Sequence, residues 1–385
     1  MTVDGVVFAG KEFRMSKSYK IFAFFLSRAL GDFAIQNIVA SSIKSNFENA
    51  KLFVYYRNDR PYKDLIIESN SYIDYKVQNK SKNGNFPADW FDINSGRPFV
   101  APSREFYEIR AHDPDLVLTP SLMKMQVLPA LQNIARLNFP DRGLSTVSNR
   151  LIDHGLNPGK WFCALHYRDG SYEHRPALER RDVSVEHFIE ITRLIIDELG
   201  GQVVRLGNPE MAKFPKKDGL IDLASIPNSF AMQCFATSRA RFLFSGPSGP
   251  GQLGSAFGTP TAVTITPQSV GAWHPHDIIL MQHLIDPKGR RVPVLEATAE
   301  GYMDEIILPE ILGNGGYRLE KNSLEELKRV AYMMYDRTSD CSGWREPKAE
   351  TFTTFPNQIC SPFTAGTTPL DVAAEIVEFP DLWRH

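Results

Sequence analysis

FATSRARFLFSGPSGPGQLGSAFGTPTAVTITP, residues Phe235–Pro267, is the stretch whose pattern decides the fold class. A helix that ends near Ser238 is followed by an apolar strand at Arg241–Ser245 and by a turn of glycine, serine and proline. A helix then starts at Gly251–Phe257, and another apolar strand follows at Thr261–Thr266. Strands that alternate with helices form right-handed βαβ units on a parallel sheet. The stretch therefore predicts an α/β domain with its glycine-rich turn at the carboxyl end of a strand.

The same alternation continues on both sides of this stretch. Further apolar runs predict strands at Ile21–Ser27, Lys51–Tyr56, Asp115–Thr119, Lys160–His166, Gln202–Leu206 and Leu220–Asp222. Amphipathic runs predict helices at Phe33–Phe47, Gln126–Arg136, Ser184–Gly200, Phe230–Ser238, Leu324–Tyr335 and Leu370–Val377. A turn signal at Asn157-Pro158-Gly159 separates two α/β halves. We predict domains over residues 1–157 and 158–345, and a tail with a helix over 346–385 that packs back on the N-terminal domain.

The composition excludes several classes of protein. With 385 residues, 43% of them apolar and 23% charged, the chain can form two ordinary globular cores. Its net charge of -2 lacks the basic excess of a general nucleic-acid binder. No apolar run reaches the roughly 18 residues of a membrane span, and the N-terminus lacks a signal-peptide pattern. The four cysteines form no CxxC pair. We therefore expect a cytoplasmic protein with no nucleic-acid partner and no membrane span.

The turn Ser245–Gly251 is the strongest candidate binding site. Ligands of parallel α/β sheets bind beyond the carboxyl ends of the strands. Gly246, Gly249 and Gly251 would let the backbone approach an anion, the helix that follows would present amide groups, and Ser245 and Ser248 would add hydroxyls. This composition favours a diphosphate ligand. The alternative is a plain turn that needs glycine for its backbone angles.

Two further strand ends carry polar residues. His166–Tyr172 reads HYRDGSY, in which Arg168 could hold phosphate oxygens or pair with Asp169 or Asp182, and His166 could be a catalyst or a hydrogen-bonded core residue. Near the N-terminus, Asp32 could be a general base that takes the proton of an acceptor hydroxyl, or a carboxylate that caps a helix.

Weaker candidates lie at other strand ends. Arg205 could add phosphate charge or line a base pocket, and Asp222 could contact ribose or base, or cap a helix. The run His274–Asp277 has metal-ligand residue types, but its proline and the absence of a distant partner motif argue against a metal. We therefore expect neither a metal nor a bound cofactor.

Phe235–Pro267 resembles the diphosphate-binding segment of the heptosyltransferase-like glycosyltransferases, in which a [DS]SGP-x-HL turn precedes an AAxxGTP helix exit. The histidine of that turn is Gln252 here, which can still donate a hydrogen bond. Gly31-Asp32 is similar to the end of that family's N-terminal GxGD loop, whose Asp is taken as the base.

A narrower group of bacterial glycosyltransferases is similar over Trp161–Gly207, and its His-x-Arg piece is also similar to the donor motif of fucosyltransferases. The matching residues are Trp161, Cys163, His166, Arg168, Asp169, Arg181-Asp182, Val203, Arg205 and Gly207.

This resemblance implies a GT-B fold, with two Rossmann-like domains that face each other across a cleft and a C-terminal helix. It also implies a nucleotide-sugar donor in the C-terminal domain, an acceptor on the N-terminal domain and no essential metal. We expect an inverting glycosyltransferase that moves a sugar from a nucleoside-diphosphate sugar to a hydroxyl of a glycan, a lipid-linked acceptor or a small molecule. The expected catalytic residues are Asp32, Arg168 and His166, and the expected donor-binding residues are Ser245, Gly246, Ser248, Gly249, Gly251, Gln252, Arg205 and Asp222. Two alternatives stay open, a non-catalytic protein that binds nucleotide sugars or phosphate ligands, and a GT-B-type sugar-nucleotide epimerase.

Overall fold

The structure is a computed structural model in which two parallel β-sheets, each accompanied by helices, form two halves. It describes residues 19–79, 91–92, 97–98, 114–123, 131, 133–168, 180–267, 274, 276–293, 296–297, 300–302, 307–345 and 352–353. The strands and helices that the sequence predicts within these ranges are confirmed, apart from part of the helix predicted at Gln126–Arg136.

The N-terminal half is built on a four-stranded parallel sheet. Its elements, in chain order, are β1 (Lys20–Phe25), α1 (Leu30–Ser45), β2 (Lys51–Arg57), α2 (Lys63–Glu68), β3 (Tyr75–Asn79), β4 (Phe91–Asp92), β5 (Arg97–Pro98), β6 (Leu116–Leu118), β7 (Asn133–Ile134) and α3 (Leu144–Asp153). The strand order is β3-β2-β1-β6. The central strands β1 and β2 are almost wholly buried, because their apolar runs face a core on both sides of the sheet.

The C-terminal half is built on a six-stranded parallel sheet. Its elements are β8 (Phe162–His166), α4 (Val185–Arg193), β9 (Gln202–Arg205), β10 (Leu220–Asp222), α5 (Phe230–Arg239), β11 (Phe242–Ser245), α6 (Gly249–Ala256), β12 (Thr261–Thr266), β13 (Ile278–Met281), β14 (His283–Ile285), β15 (Arg291–Val292), α7 (Ile307–Gly313), β16 (Arg318–Glu320), α8 (Leu324–Arg337) and β17 (Phe352–Thr353). The parallel sheet has the order β10-β9-β8-β11-β12-β13, and β15-β14-β16 form a small antiparallel sheet. The strand order places β8 and β11 at the centre, which is where the polar strand ends of the sequence lie.

Local signals set the ends of the helix that packs beside β8. The Ser184 hydroxyl accepts a hydrogen bond from the His187 amide at the start of α4, as an N-cap should. The helix continues as a π-helical turn over Leu194–Glu198 and ends at Gly200, whose φ of 69° lies in the left-handed region that glycine favours. The predicted cap and stop are therefore both confirmed.

The two halves share a hydrophobic core. Helices α1 and α6 pack against each other, and one cluster of buried side chains extends from β1 and α1 into β8, α5 and α6. Phe139 of the N-terminal half meets Phe235 of α5 edge to face at 5.3 Å, and the Leu137 amide donates to the Ala256 carbonyl at 2.8 Å. Further along the chain, β17 pairs antiparallel with β7. The exact limits of the predicted domains stay predictions.

One predicted helix is wrong over the residues that the structure describes. The sequence pattern predicts a helix over Gln126–Arg136, but Asn133–Ile134 form β7. Polar side chains near the end of α1 satisfy this extended backbone. The Asn46 side chain bonds to both the amide and the carbonyl of Asn133, and the Ser42 hydroxyl accepts from the Ala135 amide at 2.9 Å. Tertiary hydrogen bonds thus override the local pattern.

The helix predicted at Leu370–Val377 lies outside the described residues. Among the helices that the structure describes, none has both the length and the apolar composition needed to cross a bilayer.

Candidate functional site

Two of the polar strand ends predicted from the sequence lie side by side. Strands β8 and β11 are parallel neighbours, and their register places His166 directly beside Ser245. The Gly246 amide donates to the His166 carbonyl at 3.1 Å, so the pairing continues one residue beyond β11. The glycine-rich turn and the segment His166–Arg168 therefore lie together at the centre of the sheet edge.

Three side chains form a hydrogen-bonded chain at this point. Ser248 occupies the N-cap position of α6, and its hydroxyl oxygen lies 2.8 Å from Nδ1 of His166 and 3.2 Å from Oγ of Ser245. Ser245 in turn donates to the Gly246 carbonyl at 2.6 Å. His166 is buried and hydrogen-bonded, as in the second alternative considered for it, and a catalytic role for it stays a prediction.

Fewer backbone amides of the turn remain for a ligand than its composition suggests. Pro247 and Pro250 have no amide hydrogen. The Gly246 amide is engaged by His166, and the Gly251 amide donates to the Ser248 carbonyl at 3.1 Å. Within this fully described turn, the amides of Ser248 and Gly249 are therefore the best placed to bind an anion at the positive end of α6.

Arg168 follows the end of β8 by two residues, and its backbone nitrogen would lie 4.0 Å from a Cβ on Gly246. Its Nε donates to Oδ1 of Asp182 at 3.1 Å, which is the ion pair considered as an alternative from the sequence. Its carbonyl also accepts the Val183 amide at 2.9 Å. The guanidinium side chain keeps 14% of its surface exposed, so it is oriented by Asp182 without being enclosed. Asp169, the other partner considered, lies outside the described residues.

Arg205 lies in an enclosed environment, and its predicted contact with a phosphate or base stays a prediction. Its side chain is 1% exposed, and one Nη bonds to both carboxylate oxygens of Asp222, at 3.0 and 2.9 Å. The other Nη bonds to the Tyr167 hydroxyl and to the Ala212 carbonyl, and the guanidinium lies over the ring of Phe214. The described contacts commit Arg205 to holding three segments together, and they give no support to a direct contact with a phosphate or base. A ribose or base contact by Asp222 stays a prediction.

Gly207 and Gln233 complete this region, and Gln233 is not among the residues that the sequence predicts. The Gln233 carboxamide accepts from the Gly207 amide at 2.9 Å and donates to the Gly207 carbonyl at 2.8 Å. Gly207 has a φ of 146°, and a Cβ there would lie 2.2 Å from the Met211 sulfur, so only glycine fits. No local signal marks Gln233, because it lies on α5, well away in sequence from β9.

The N-terminal half meets the turn through two glycines. A Cβ on Gly31 would lie 3.2 Å from Cα of Gly249, and a Cβ on Gly249 would lie 3.1 Å from the Gly31 nitrogen. The first turns of α1 and α6 are therefore in backbone contact. Gln252 also lies here, because its Cγ would be 3.2 Å from a Cβ placed on Gly31. The segment Arg28–Asp32 and the turn Ser245–Gly251 thus form one composite surface.

Asp32 lies in the first turn of α1, is exposed, and immediately follows Gly31. The N-cap residue of α1 is Ala29, so Asp32 is not the cap, although a carboxylate in the first turn still favours the helix dipole. The structure therefore places Gly31, the residue before the candidate base, against the candidate anion loop. The role of Asp32 as a base stays a prediction.

The structure gives the run His274–Asp277 a structural explanation. Asp277 accepts the Thr261 amide at 2.6 Å and the His274 amide at 2.9 Å, so its carboxylate holds backbone groups of the sheet. In the part of the chain that the structure describes, no group of three or more metal-ligating side chains converges.

Comparison with known proteins supports the fold. No protein-family model matches the chain, and no curated protein matches it. Among solved structures, the chain is similar to the glycosyl transferase family 9 protein of Veillonella parvula, with 14% identity, 84% of this chain and 99% of that chain covered, and a TM-score of 0.54. It is also similar to the ADP-heptose lipopolysaccharide heptosyltransferase II of E. coli, with 10% identity, coverage of 82% and 99%, and a TM-score of 0.45.

At this identity the likeness concerns the fold alone, and the first of the two structures is close enough to carry that conclusion. The predicted α/β fold of GT-B type, with parallel sheets in two halves, is confirmed. The narrower resemblance based on the HxRD motif stays a prediction.

Proposed function

We propose that this chain is a glycosyltransferase that moves a sugar from a nucleoside-diphosphate sugar to an acceptor hydroxyl, with inversion and without a metal. The observation that carries the proposal is the backbone contact between Gly31 and Gly249. It joins the segment that bears Asp32 to the turn best suited to a diphosphate. In a GT-B fold this is a place where a base and a leaving group can face one anomeric carbon.

The donor side of the site is suited to a diphosphate. The amides of Ser248 and Gly249 lie at the positive end of α6, and the Ser248 hydroxyl is held by His166. Arg168, oriented by Asp182, would neutralise the charge that develops on the leaving diphosphate. Arg205 would act at a distance, by fixing Tyr167 next to Arg168 through the hydroxyl bond of 2.9 Å.

The acceptor side would use Asp32 as a general base. An exposed carboxylate can remove the proton of an acceptor hydroxyl, which then attacks the anomeric carbon from the face opposite the diphosphate. A single displacement of this kind inverts the anomeric configuration. No covalent nucleophile is needed.

The first test is a thermal-shift screen against GDP, UDP, ADP, dTDP and CMP, followed by transfer assays with the sugar of whichever nucleotide binds. A ligand that binds only the native state raises the melting temperature by mass action. Arg168→Ala should lower turnover by about 10²-fold or more, the scale of losing one group that stabilises the transition state. The matched control is Arg193→Ala on α4, an exposed arginine paired with Glu190.

Two results would contradict the proposal. One is tight nucleotide binding with no turnover of any sugar nucleotide, which would favour a binding protein. The other is release of free sugar or its epimer without an acceptor, which would favour an epimerase. Wild-type turnover in Arg168→Ala would instead remove Arg168 from the site and leave the transfer activity standing.

A further inference from the structure

The segment Asp59–Lys63, directly after β2, contacts the segment that bears Asp32. The Tyr62 hydroxyl donates to the carbonyl oxygen of Arg28 at 2.5 Å. Nε of Arg28 lies 3.4 Å from Oδ2 of Asp59. Because β1 and β2 are adjacent parallel strands, the chains that leave their carboxyl ends run side by side, which explains why these residues meet.

A second set of contacts reaches the chain just after Asp32. Lys63 has no exposed side-chain surface, and its Nζ lies 2.7 Å from Oδ1 of Asp59. The same ammonium lies 4.8 Å from the centre of the Phe33 ring, a favourable cation–π distance. Phe33 immediately follows Asp32. The segment Asp59–Lys63 therefore contacts the chain on both sides of the candidate base.

Tyr62 also reaches the C-terminal half. Its ring packs against Phe230, the first residue of α5, with ring centres 5.4 Å apart. The segment Arg28–Asp32, which Tyr62 holds, also touches the C-terminal half, through Gly31 and Gly249. One tyrosine thus links the segment before Asp32 to the half that holds the candidate donor turn.

These contacts differ in how much they constrain the loop. Arg28 is 67% exposed, and an exposed ion pair of this kind contributes little. Lys63 is enclosed, and its removal would take from Asp59, whose side chain is 19% exposed, the cation that lies closest to it. The hydrogen bond from the Tyr62 hydroxyl fixes the backbone at Arg28, and the hydroxyl can be removed without creating a cavity.

We propose that Tyr62 is a positioning residue. Its hydroxyl holds the Arg28 carbonyl, and its ring packs on Phe230. Together these contacts set the position of the segment Arg28–Asp32 relative to the donor half. The proposal rests on the proposed function, because Asp32 matters to catalysis only if the chain transfers a sugar. The mechanical part concerns the loop alone and can be measured in the full chain without a substrate.

The test compares Tyr62→Phe with Tyr56→Phe. Tyr56 lies on β2 and its hydroxyl donates to Asp64 at 2.7 Å, so the control loses a similar hydrogen bond in the same half. Hydrogen–deuterium exchange of the peptide that spans residues 28–33 should become about fivefold to tenfold faster in Tyr62→Phe and stay unchanged in Tyr56→Phe. In transfer assays, Tyr62→Phe should lower kcat about tenfold while KM for the donor stays within about twofold.

The two proposals fail in different ways. Equal exchange of residues 28–33 in Tyr62→Phe and wild type overturns this inference, whether or not the chain is a transferase. Faster exchange with an unchanged kcat also overturns it, because a looser loop would then cost nothing in catalysis. A wild-type chain that transfers no sugar refutes the proposed function and, with it, the catalytic part of this inference.

Discussion

Replacing Gly249 with alanine tests the contact between the two halves most directly. A Cβ at this position would lie 3.1 Å from the Gly31 nitrogen and 3.1 Å from Cβ of Leu30. Carbon atoms in contact normally stay about 3.5–4.0 Å apart, so the first turns of α1 and α6 would have to separate by about 0.5 Å. One obstructing atom is backbone and cannot rotate away.

The magnitude follows from two opposing effects. Overpacking of a close contact costs about 1–3 kcal/mol. Alanine in place of glycine in a helix recovers about 0.5–1 kcal/mol, because the unfolded chain has less freedom to lose. We therefore expect Gly249→Ala to lower the free energy of unfolding by about 1 kcal/mol.

The same substitution two residues later provides the control. A Cβ on Gly251 would have its nearest neighbours at 3.4 and 3.8 Å, which is ordinary contact. Gly251→Ala should therefore be neutral or stabilise the protein by up to about 1 kcal/mol. Urea unfolding followed by tryptophan fluorescence would measure both variants, with the thermal midpoint as a second observable.

The ordering of the two variants decides the result. Gly249→Ala should unfold at a lower urea concentration than wild type, and Gly251→Ala at an equal or higher one. If both variants had the same midpoint, the close approach of α1 and α6 would be refuted, and the composite site with it.

Two further predictions concern stability. Arg205→Met should destabilise the chain by about 3 kcal/mol in urea unfolding, because Asp222 keeps its charge and loses its partner, and the double variant Arg205→Met/Asp222→Leu should recover part of that loss. A loss below about 1 kcal/mol in the single variant would contradict the structural role. Burial raises the pKa of Glu326, but hydrogen bonds from His283 and Ser323 outweigh burial and lower the pKa from 4.5 to about 2. The stability that the Glu326 carboxylate contributes is therefore present above pH 4.5 and is lost as the pH falls towards 2. Between pH 6 and pH 3, the free energy of unfolding of wild type should fall by about 2 kcal/mol more than that of Glu326→Gln. The exposed neighbour variant Glu325→Gln should keep the pH dependence of wild type, and parallel pH profiles for wild type and Glu326→Gln would refute the assignment.

Much of the fold could be predicted because it depends on local patterns. The segment from α5 to β12 follows the predicted order of helix, strand, turn, helix and strand, with ends shifted by one or two residues. Ser184 caps α4, and Gly200 ends the helical segment at a positive φ. Each of these features is decided by residues only a few positions apart, so the sequence carries the information directly.

The candidate site could be predicted in part. Composition identified Ser245–Gly251 and His166–Arg168 as polar strand ends, but their contact depends on strand order. His166 and Ser245 are 79 residues apart, and they become neighbours because β8 lies next to β11 in the sheet. Nothing local specifies that order.

Arg205 shows how the tertiary structure changes an interpretation. A guanidinium at a strand end can face a ligand or the interior, and the sequence does not distinguish the two. Asp222 lies directly opposite Arg205 in the register of β9 and β10, and the Tyr167 hydroxyl approaches from β8. These partners draw the guanidinium inward and bury it.

By itself, the amino-acid sequence determined most of the strands and helices and where several helices begin and end, and it predicts which turn can approach an anion. The tertiary structure alone decided that Gly31 meets Gly249, that Tyr62 holds the Arg28 carbonyl, and that Asn133–Ile134 form a strand. The physical reason is the range of the interactions: backbone preference and hydrophobic periodicity act over a few residues, whereas these contacts join segments that only the packing of the two sheets brings together.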